Sequence, residues 1–284
     1  MKSYSYFAPQ TIPDALALLS QHEGARLLAG GTDVLPRIRK GTLQPPALVS
    51  IRRIAELTQV SFSDTIRIGS AATIGALLEH PKLCHEVPVL AQAMLNLGSQ
   101  QVRNLATIGG NLINASPCAD TAPPLLVLDA RVEIVGSFGT RFSSLHELFD
   151  TPGQTHLGQK ELLAAVLLPK QSGNFRATFR KVRRVTMDIS IASLAVGLQL
   201  AKRQVVEVRI AAGSVGPRPM RLWQTEAFLR EQELTQDRIE QAAELASKEV
   251  SPITDIRSTE EYRRHVIGVL LKRLVAELLV GEQL

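Results

Sequence analysis

Two stretches decide how this chain folds: Gln101-Val102-Arg103-Asn104-Leu105-Ala106-Thr107-Ile108-Gly109-Gly110-Asn111, and Leu27-Leu28-Ala29-Gly30-Gly31-Thr32-Asp33. Each places two glycines after apolar residues, with a threonine beside them. A phosphate that approaches the backbone closely needs residues without a Cβ, so that peptide N–H groups can point at it. The threonine hydroxyls add donors, and a helix that begins after Asp33 would add the positive end of its dipole. Two such loops predict a diphosphate held from two sides.

The two loops could also serve structure alone. A single pair of glycines is often an ordinary tight turn, and Asp33 could merely cap the helix that follows it. Neither loop has the GxGxxG or GxxxxGK[ST] spacing, which argues against a Rossmann dinucleotide fold and a P-loop. The GxSxG and HExxH patterns are absent from the sequence. Cys84 and Cys118 are 34 positions apart and cannot by themselves ligate an iron–sulfur cluster or a cysteine-only zinc site.

Composition narrows the class of protein further. The chain has 284 residues, of which 45% are hydrophobic and 21% charged, typical of a globular protein with one large or two ordinary domains. We expect no membrane span, and a cytoplasmic location, because the N-terminal residues lack the apolar segment of a secretory signal. The net charge of +5 raises the possibility of nucleic-acid binding. Dispersed basic residues and only 4% aromatic residues argue against it and suit a phosphorylated cofactor or an acidic partner.

Periodicity and turn residues predict an α+β fold in two units. In the first unit, helices are expected at 12–19, 34–39, 73–79 and 87–97, and strands at 26–29, 47–51, 66–69, 132–135 and 162–168. The stretch 100–129 is rich in glycine, proline and small polar residues, and we do not expect it to form an ordinary packed helix. A polar stretch at Lys170–Asn174 predicts a linker. Beyond it we expect an antiparallel meander at 177–182, 193–200 and 205–212, then helices at 235–250 and 260–279.

The two glycine stretches, followed by Ala115-Ser116-Pro117 and Ala119-Asp120, resemble the FAD-binding medium subunits of molybdenum hydroxylases. That family includes the flavin subunits of xanthine dehydrogenase and carbon monoxide dehydrogenase. Arg183-Arg184 with Met187-Asp188-Ile189 resembles the start of the family's C-terminal domain. The resemblance implies a two-part FAD-binding domain of the vanillyl-alcohol-oxidase (PCMH) type at 1–170, with lobes of about 1–55 and 56–170. A smaller α/β C-terminal domain at 175–284, with an antiparallel sheet and helices, would follow.

The resemblance also implies which residues surround the cofactor. The first wall would comprise Leu27, Leu28, Ala29, Gly30, Gly31, Thr32, Asp33 and Val34. The second would comprise Thr107, Ile108, Gly109, Gly110 and Asn111, whose N–H groups and amide side chain would bond phosphate and ribityl oxygens. Ser116 and Asp120 would add polar contacts, and Leu163 would pack on the flavin ring. Arg180 would stabilise reduced, anionic flavin. The plainer alternatives are a turn-forming Asp120 and a surface Arg180.

The implied function is that of an electron-transfer subunit in a heteromeric molybdenum hydroxylase. FAD would be bound without a covalent link, while [2Fe-2S] and molybdopterin would lie on partner subunits, because this chain has no candidate ligands for either. The acceptor would be NAD+, with quinone or oxygen also open. No catalytic side chain and no metal site are predicted in this chain. The alternatives are a stand-alone FAD-dependent oxidoreductase of a small alcohol and, resting only on the basic charge, a nucleotide- or nucleic-acid-binding module.

Overall fold

The computed structural model describes residues 3–280, which form three β-sheets. The first is parallel, with strand order β1-β3-β2. Its strands are β1 (Ser5–Phe7), β2 (Arg26–Leu28) and β3 (Ala47–Ser50), connected by helices α1 (Ile12–Gln21) and α2 (Val34–Arg39). Parallel strands need such crossover helices. Thr11 caps α1 by accepting a hydrogen bond from the Asp14 N–H, and β2 ends at Leu28, within the first glycine stretch and two residues before Gly30.

The second sheet is antiparallel and has the strand order β4-β5-β8-β6-β7. Its strands are β4 (Val60–Phe62), β5 (Thr65–Gly69), β6 (Arg131–Gly136), β7 (Gly139–Ser144) and β8 (Glu161–Pro169). The central strand β8 is a nearly continuous apolar run, because both of its faces are covered. We did not predict β7, whose sequence Gly-Thr-Arg-Phe-Ser-Ser has no apolar alternation because the strand is largely exposed.

Short helices fill the connection between β5 and β6. They are α3 (Ile74–Leu78), α4 (Pro81–Glu86), α5 (Pro88–Leu95), α6 (Gln100–Arg103), α7 (Ile108–Ile113) and α8 (Ala122–Val127). As expected, 100–129 does not form one ordinary packed helix, but it contains three short helices that were not predicted, of which α7 and α8 contribute buried residues to the core. Ser99 and Thr107 cap α6 and α7, and prolines stand in the first turn of α8, so the same residues that disfavoured one long helix begin three short ones.

The third sheet confirms the predicted antiparallel meander. It has the order β12-β11-β10-β9 and consists of β9 (Arg176–Val182), β10 (Ala192–Ala201), β11 (Gln204–Gly213) and β12 (Met220–Arg221). Between β6 and β9 the chain also forms α9 (Leu145–Leu148), and after β12 it forms α10 (Trp223–Leu229), α11 (Gln236–Glu249) and α12 (Glu260–Leu279). The helices predicted at 235–250 and 260–279 are α11 and α12, whereas α10 was not predicted.

The third sheet is packed on both faces. Leu194 and Val196 of β10 share a buried apolar core with Ile267 and Leu271 of α12. Other residues of the same sheet contact α5 and α8, which precede it in the chain. The linker stretch is also fixed, because the Gln171 amide donates to the Leu128 carbonyl and accepts from Arg209. None of the helices within residues 3–280 is long and apolar enough to cross a membrane.

Candidate cofactor site

A cleft of about 780 Å³ brings the two glycine stretches together. The loop 153–159 and the start of β8 complete its wall. The expected cofactor residues that line it are Leu27, Ala29, Gly30, Gly31, Thr32, Asp33, Val34, Thr107, Gly109, Gly110, Asn111 and Leu163. The stretches are about 75 residues apart in sequence, so the fold rather than local structure makes them neighbours.

Glycines allow the two loops to touch. A Cβ on Gly30 would overlap the carbonyl oxygen of Leu105, which lies in the second glycine stretch two residues before Thr107. A Cβ on Gly109 would lie 2.6 Å from the Cβ of Ser70, and the Gly109 N–H donates to the Ser70 carbonyl at 2.8 Å. Gly30 therefore joins the two loops, and Gly109 joins the second loop to the end of β5. These two glycines are required by backbone packing before any ligand is considered.

The first loop has the unpaired N–H groups that an anion needs. Within residues 3–280, the backbone N–H groups of residues 30–34 donate to no protein acceptor. Gly31 has φ +79°, the left-handed conformation that turns successive N–H groups toward a common point. The side chain of Asp33 makes no capping hydrogen bond to α2, so the interpretation of Asp33 as a simple helix cap is wrong. The first loop is therefore a ready cradle for a diphosphate.

The second loop differs from the expectation that its N–H groups bond the cofactor. The N–H of Ile108 donates to Ala72, and that of Asn111 to the Thr107 carbonyl. The Gly110 N–H donates to the Thr107 hydroxyl at 3.0 Å, and the Gly109 N–H to Ser70. The Gly110 and Asn111 N–H groups are used to begin α7, and those of Ile108 and Gly109 bind the loop to the segment that follows β5. The Asn111 side chain accepts from Thr121 through Oδ1, which leaves its Nδ2 amide as a donor on the cleft wall.

The lining of the cleft also includes positively charged side chains. Arg26 and Arg37 line it, and no motif in the sequence had singled out either residue. Partial burial raises the pKa of Asp33, while the nearby Arg37 guanidinium acts in the opposite direction. Two cations on this wall favour an anionic ligand beside the free N–H groups of the first loop.

Five expected residues do not line the cleft. Leu28 belongs to a small core with Ile38 and Leu48, and Ile108 is fully buried, so their side chains serve packing. The Ser116 hydroxyl accepts from the Cys118 N–H. Asp120 is buried beside Lys181, and Arg180 pairs with Glu277 of α12.

Lys181 is the cation of β9 that faces residues preceding the linker stretch. Neighbouring residues on a strand point to opposite faces, so Arg180 faces α12 while Lys181 faces the other way. Lys181 Nζ donates to Asp120 Oδ2 at 2.8 Å and to the Asn96 carbonyl at 3.1 Å. Burial raises the pKa of Asp120 despite Lys181 and Arg183 nearby. The two-residue period of the predicted strand is the signal that could have distinguished Lys181 from Arg180.

Comparison with known proteins finds two family matches along the chain. Residues 2–171 match the family described as FAD binding domain in molybdopterin dehydrogenase, and residues 177–278 match the CO dehydrogenase flavoprotein C-terminal domain. The chain therefore belongs to the family of FAD-binding medium subunits of molybdenum hydroxylases. It is an oxidoreductase flavoprotein subunit whose cofactor is FAD. Its fold is a two-part PCMH-type FAD-binding domain followed along the chain by the C-terminal domain.

Individual relatives cover almost the whole chain. The xanthine dehydrogenase FAD-binding subunit of Escherichia coli O157:H7 is 33% identical over 277 residues, 96% of this chain and 95% of that protein. The carbon monoxide dehydrogenase medium chain of Afipia carboxidovorans is 31% identical, with 96% of each chain covered. Among solved structures, carbon monoxide dehydrogenase from Hydrogenophaga pseudoflava superposes with a TM-score of 0.95 at 28% identity, covering 98% of both chains.

The residues of the cleft fit FAD. The unpaired N–H groups of residues 30–34 suit its diphosphate, the Asn111 amide suits an oxygen, and Leu163 offers an apolar surface to a ring. Across residues 3–280, no group of three or more His, Cys, Asp or Glu side chains is arranged to hold a metal ion, and Cys84 and Cys118 are free thiols.

Proposed function

We propose that this chain is the electron-transfer subunit of a heteromeric molybdenum hydroxylase related to xanthine dehydrogenase. A [2Fe-2S] subunit would deliver electrons to it, and a large molybdopterin subunit would oxidise the substrate. Bound FAD would supply the chemistry that collects single electrons and passes them in pairs to an acceptor such as NAD+. The main support for this proposal is the set of unpaired N–H groups at residues 30–34. They line a cleft that the second glycine loop also lines.

In this proposal the chain's own residues bind and orient FAD. The first loop and the charges of Arg26 and Arg37 hold the diphosphate, and the Asn111 amide donates to an oxygen further along the cofactor. Leu163 keeps water from the flavin ring. We propose that binding is non-covalent, and that the 1–170 part carries it while 175–284 forms the C-terminal domain. The unpaired thiols of Cys84 and Cys118 agree with the proposed cytoplasmic location.

The composition of the purified assembly tests this function. The tagged chain, isolated from its native cells, should carry iron, molybdenum and FAD, together with one larger and one smaller subunit in fixed ratio. A flavin-only protein that oxidises a small alcohol would refute the proposal and favour the stand-alone oxidoreductase.

The acceptor is tested separately. Under anaerobic conditions, NADH should bleach the flavin absorbance of the isolated chain, since hydride transfer in reverse needs only FAD and the nicotinamide. NAD+ would be refuted as the acceptor if NADH left the flavin oxidised while substrate reduced it in the complete complex. Quinone or oxygen would then remain.

A further inference from the structure

Ser70 is a polar residue of the cleft that no sequence motif had singled out. It directly follows β5, is 3% exposed, and contributes to the cleft wall between Gly109 and Leu163. Its hydroxyl oxygen is buried and has no hydrogen-bond partner within residues 3–280. A buried hydroxyl without a partner is uncommon, because it loses its bonds to water and gains none in return.

The backbone of Ser70 holds the side chain in place. Its N–H donates to the Ala164 carbonyl of β8 at 2.9 Å, and its carbonyl accepts from the Gly109 N–H at 2.8 Å. Ser70 thus connects the central strand of the second sheet to the second glycine loop. These two bonds fix the backbone of Ser70, so its hydroxyl can be redirected only by rotation about the Cα–Cβ bond.

We propose that Ser70 is a further cofactor-binding residue, whose hydroxyl bonds an oxygen in the polar middle of FAD, its diphosphate and ribityl chain. A serine hydroxyl can donate and accept and rotates about one bond, so it can meet either kind of oxygen. The inference rests on the proposed binding of FAD in this cleft. It explains why a hydroxyl stands where packing alone would be served by alanine.

The chain offers a matched control. Ser190 is 1% exposed, and its hydroxyl also has no partner within the described residues, but it does not line the cleft. Ser70→Ala and Ser190→Ala therefore remove the same group from equally buried positions. Only Ser70→Ala should weaken the binding of FAD.

The experiment measures thermal unfolding and FAD affinity of the full-length chain, wild type and both variants. Without FAD, both variants should be as stable as wild type or slightly more stable, because an unpaired buried hydroxyl is removed. Ser70→Ala should bind FAD about tenfold more weakly and gain a smaller rise in Tm from it. Ser190→Ala should bind FAD as wild type does.

Equal FAD affinity of Ser70→Ala and wild type would overturn the assignment of Ser70. So would a loss of affinity accompanied by an equal loss of stability without FAD, since that pattern indicates a purely structural residue. Failure of the wild-type chain to bind FAD would instead refute the proposed site as a whole, so the two failures are distinguishable.

Discussion

Replacing Lys181 by methionine tests the connection between the two halves of the molecule. The Lys181 side chain is 2% exposed and that of Asp120 is 9% exposed, so methionine fills the space but leaves a buried carboxylate without its main cation. Removing one partner of a buried ion pair costs about 3–5 kcal/mol. Arg183 remains nearby and moderates the loss. We expect a destabilisation of about 2–4 kcal/mol at pH 7.

Protonation of Asp120 limits how far Lys181→Met can destabilise the fold, and it makes the destabilisation depend on pH. A carboxyl with an ordinary pKa of 3.8 can be kept neutral at pH 7 for about 4.4 kcal/mol, since each pH unit costs about 1.4 kcal/mol. Loss of Lys181 raises the folded pKa of Asp120 further. The folded variant then keeps a proton that the unfolded chain releases. Because burial already raises the pKa of Asp120 in the wild type, the destabilisation relative to wild type grows as pH rises through that raised pKa and vanishes below 3.8. At pH 5 the limit is about 1.6 kcal/mol.

Urea unfolding at pH 7 and pH 5, followed by circular dichroism, measures this difference. Lys170→Met is the control, because Lys170 and Asp64 are exposed and 3.9 Å apart, and it should cost less than about 0.5 kcal/mol. Adding Asp120→Asn to Lys181→Met should recover much of the loss. The buried-pair reasoning would be refuted if Lys181→Met lowered the free energy of unfolding by less than about 1 kcal/mol at pH 7. It would also be refuted if the decrease were the same at pH 5 as at pH 7.

Four further outcomes are expected. Arg180→Ala should leave the flavin midpoint potential unchanged, because Arg180 faces Glu277; a shift measured by dye titration would contradict this. Gly30→Ala should destabilise the chain by about 2 kcal/mol or more in urea unfolding, because its Cβ would overlap the Leu105 carbonyl; wild-type stability would contradict the loop contact. The Arg257 backbone N–H and then the Arg263 guanidinium outweigh the opposing effect of burial and lower the pKa of Asp255 to about 2. Stability from this group should therefore be lost as pH falls from 3.8 toward 2, and Asp255→Asn should flatten the acid-unfolding curve over that range; an unchanged curve would contradict this. Acid precipitation should release the flavin into the supernatant; colour that stays in the pellet would refute non-covalent binding.

Most of the regular elements could be predicted from the sequence because their signals are local. The capping threonine before α1, the apolar spacing of α12 and the alternation of β10 and β11 each specify one element. Some elements were missed because short or exposed elements carry little apolar pattern. They are strands β1, β4, β7 and β12 and helices α4, α9 and α10. The prolines and small residues at 100–129 argued against one packed helix, which is correct, but we did not predict that at helix starts they serve as first-turn residues and caps of short helices.

The cleft was predictable only in part. The glycine stretches signalled a phosphate site, but not which of their N–H groups are free, because that depends on partners such as Ala72 and Ser70 from distant sequence. Arg26 and Arg37 look like ordinary surface cations in the sequence. The assignment of Arg180 rested on a resemblance, whereas the pairing of β9 with β10 determines that Lys181 faces Asp120.

FAD titration of the Gly110→Val variant tests most directly whether this cleft is the cofactor site. A Cβ at Gly110 would lie 2.8 Å from the Thr107 hydroxyl, which must shift to make room, and the valine branches would extend into space on the cleft wall. Gly173→Ala is the control, because nothing lies within 4 Å of its added Cβ. Wild type and Gly173→Ala should each bind one FAD per chain, while Gly110→Val keeps its circular dichroism spectrum and loses FAD binding. Equal FAD affinity for Gly110→Val and wild type would contradict the placement of FAD between the two glycine loops.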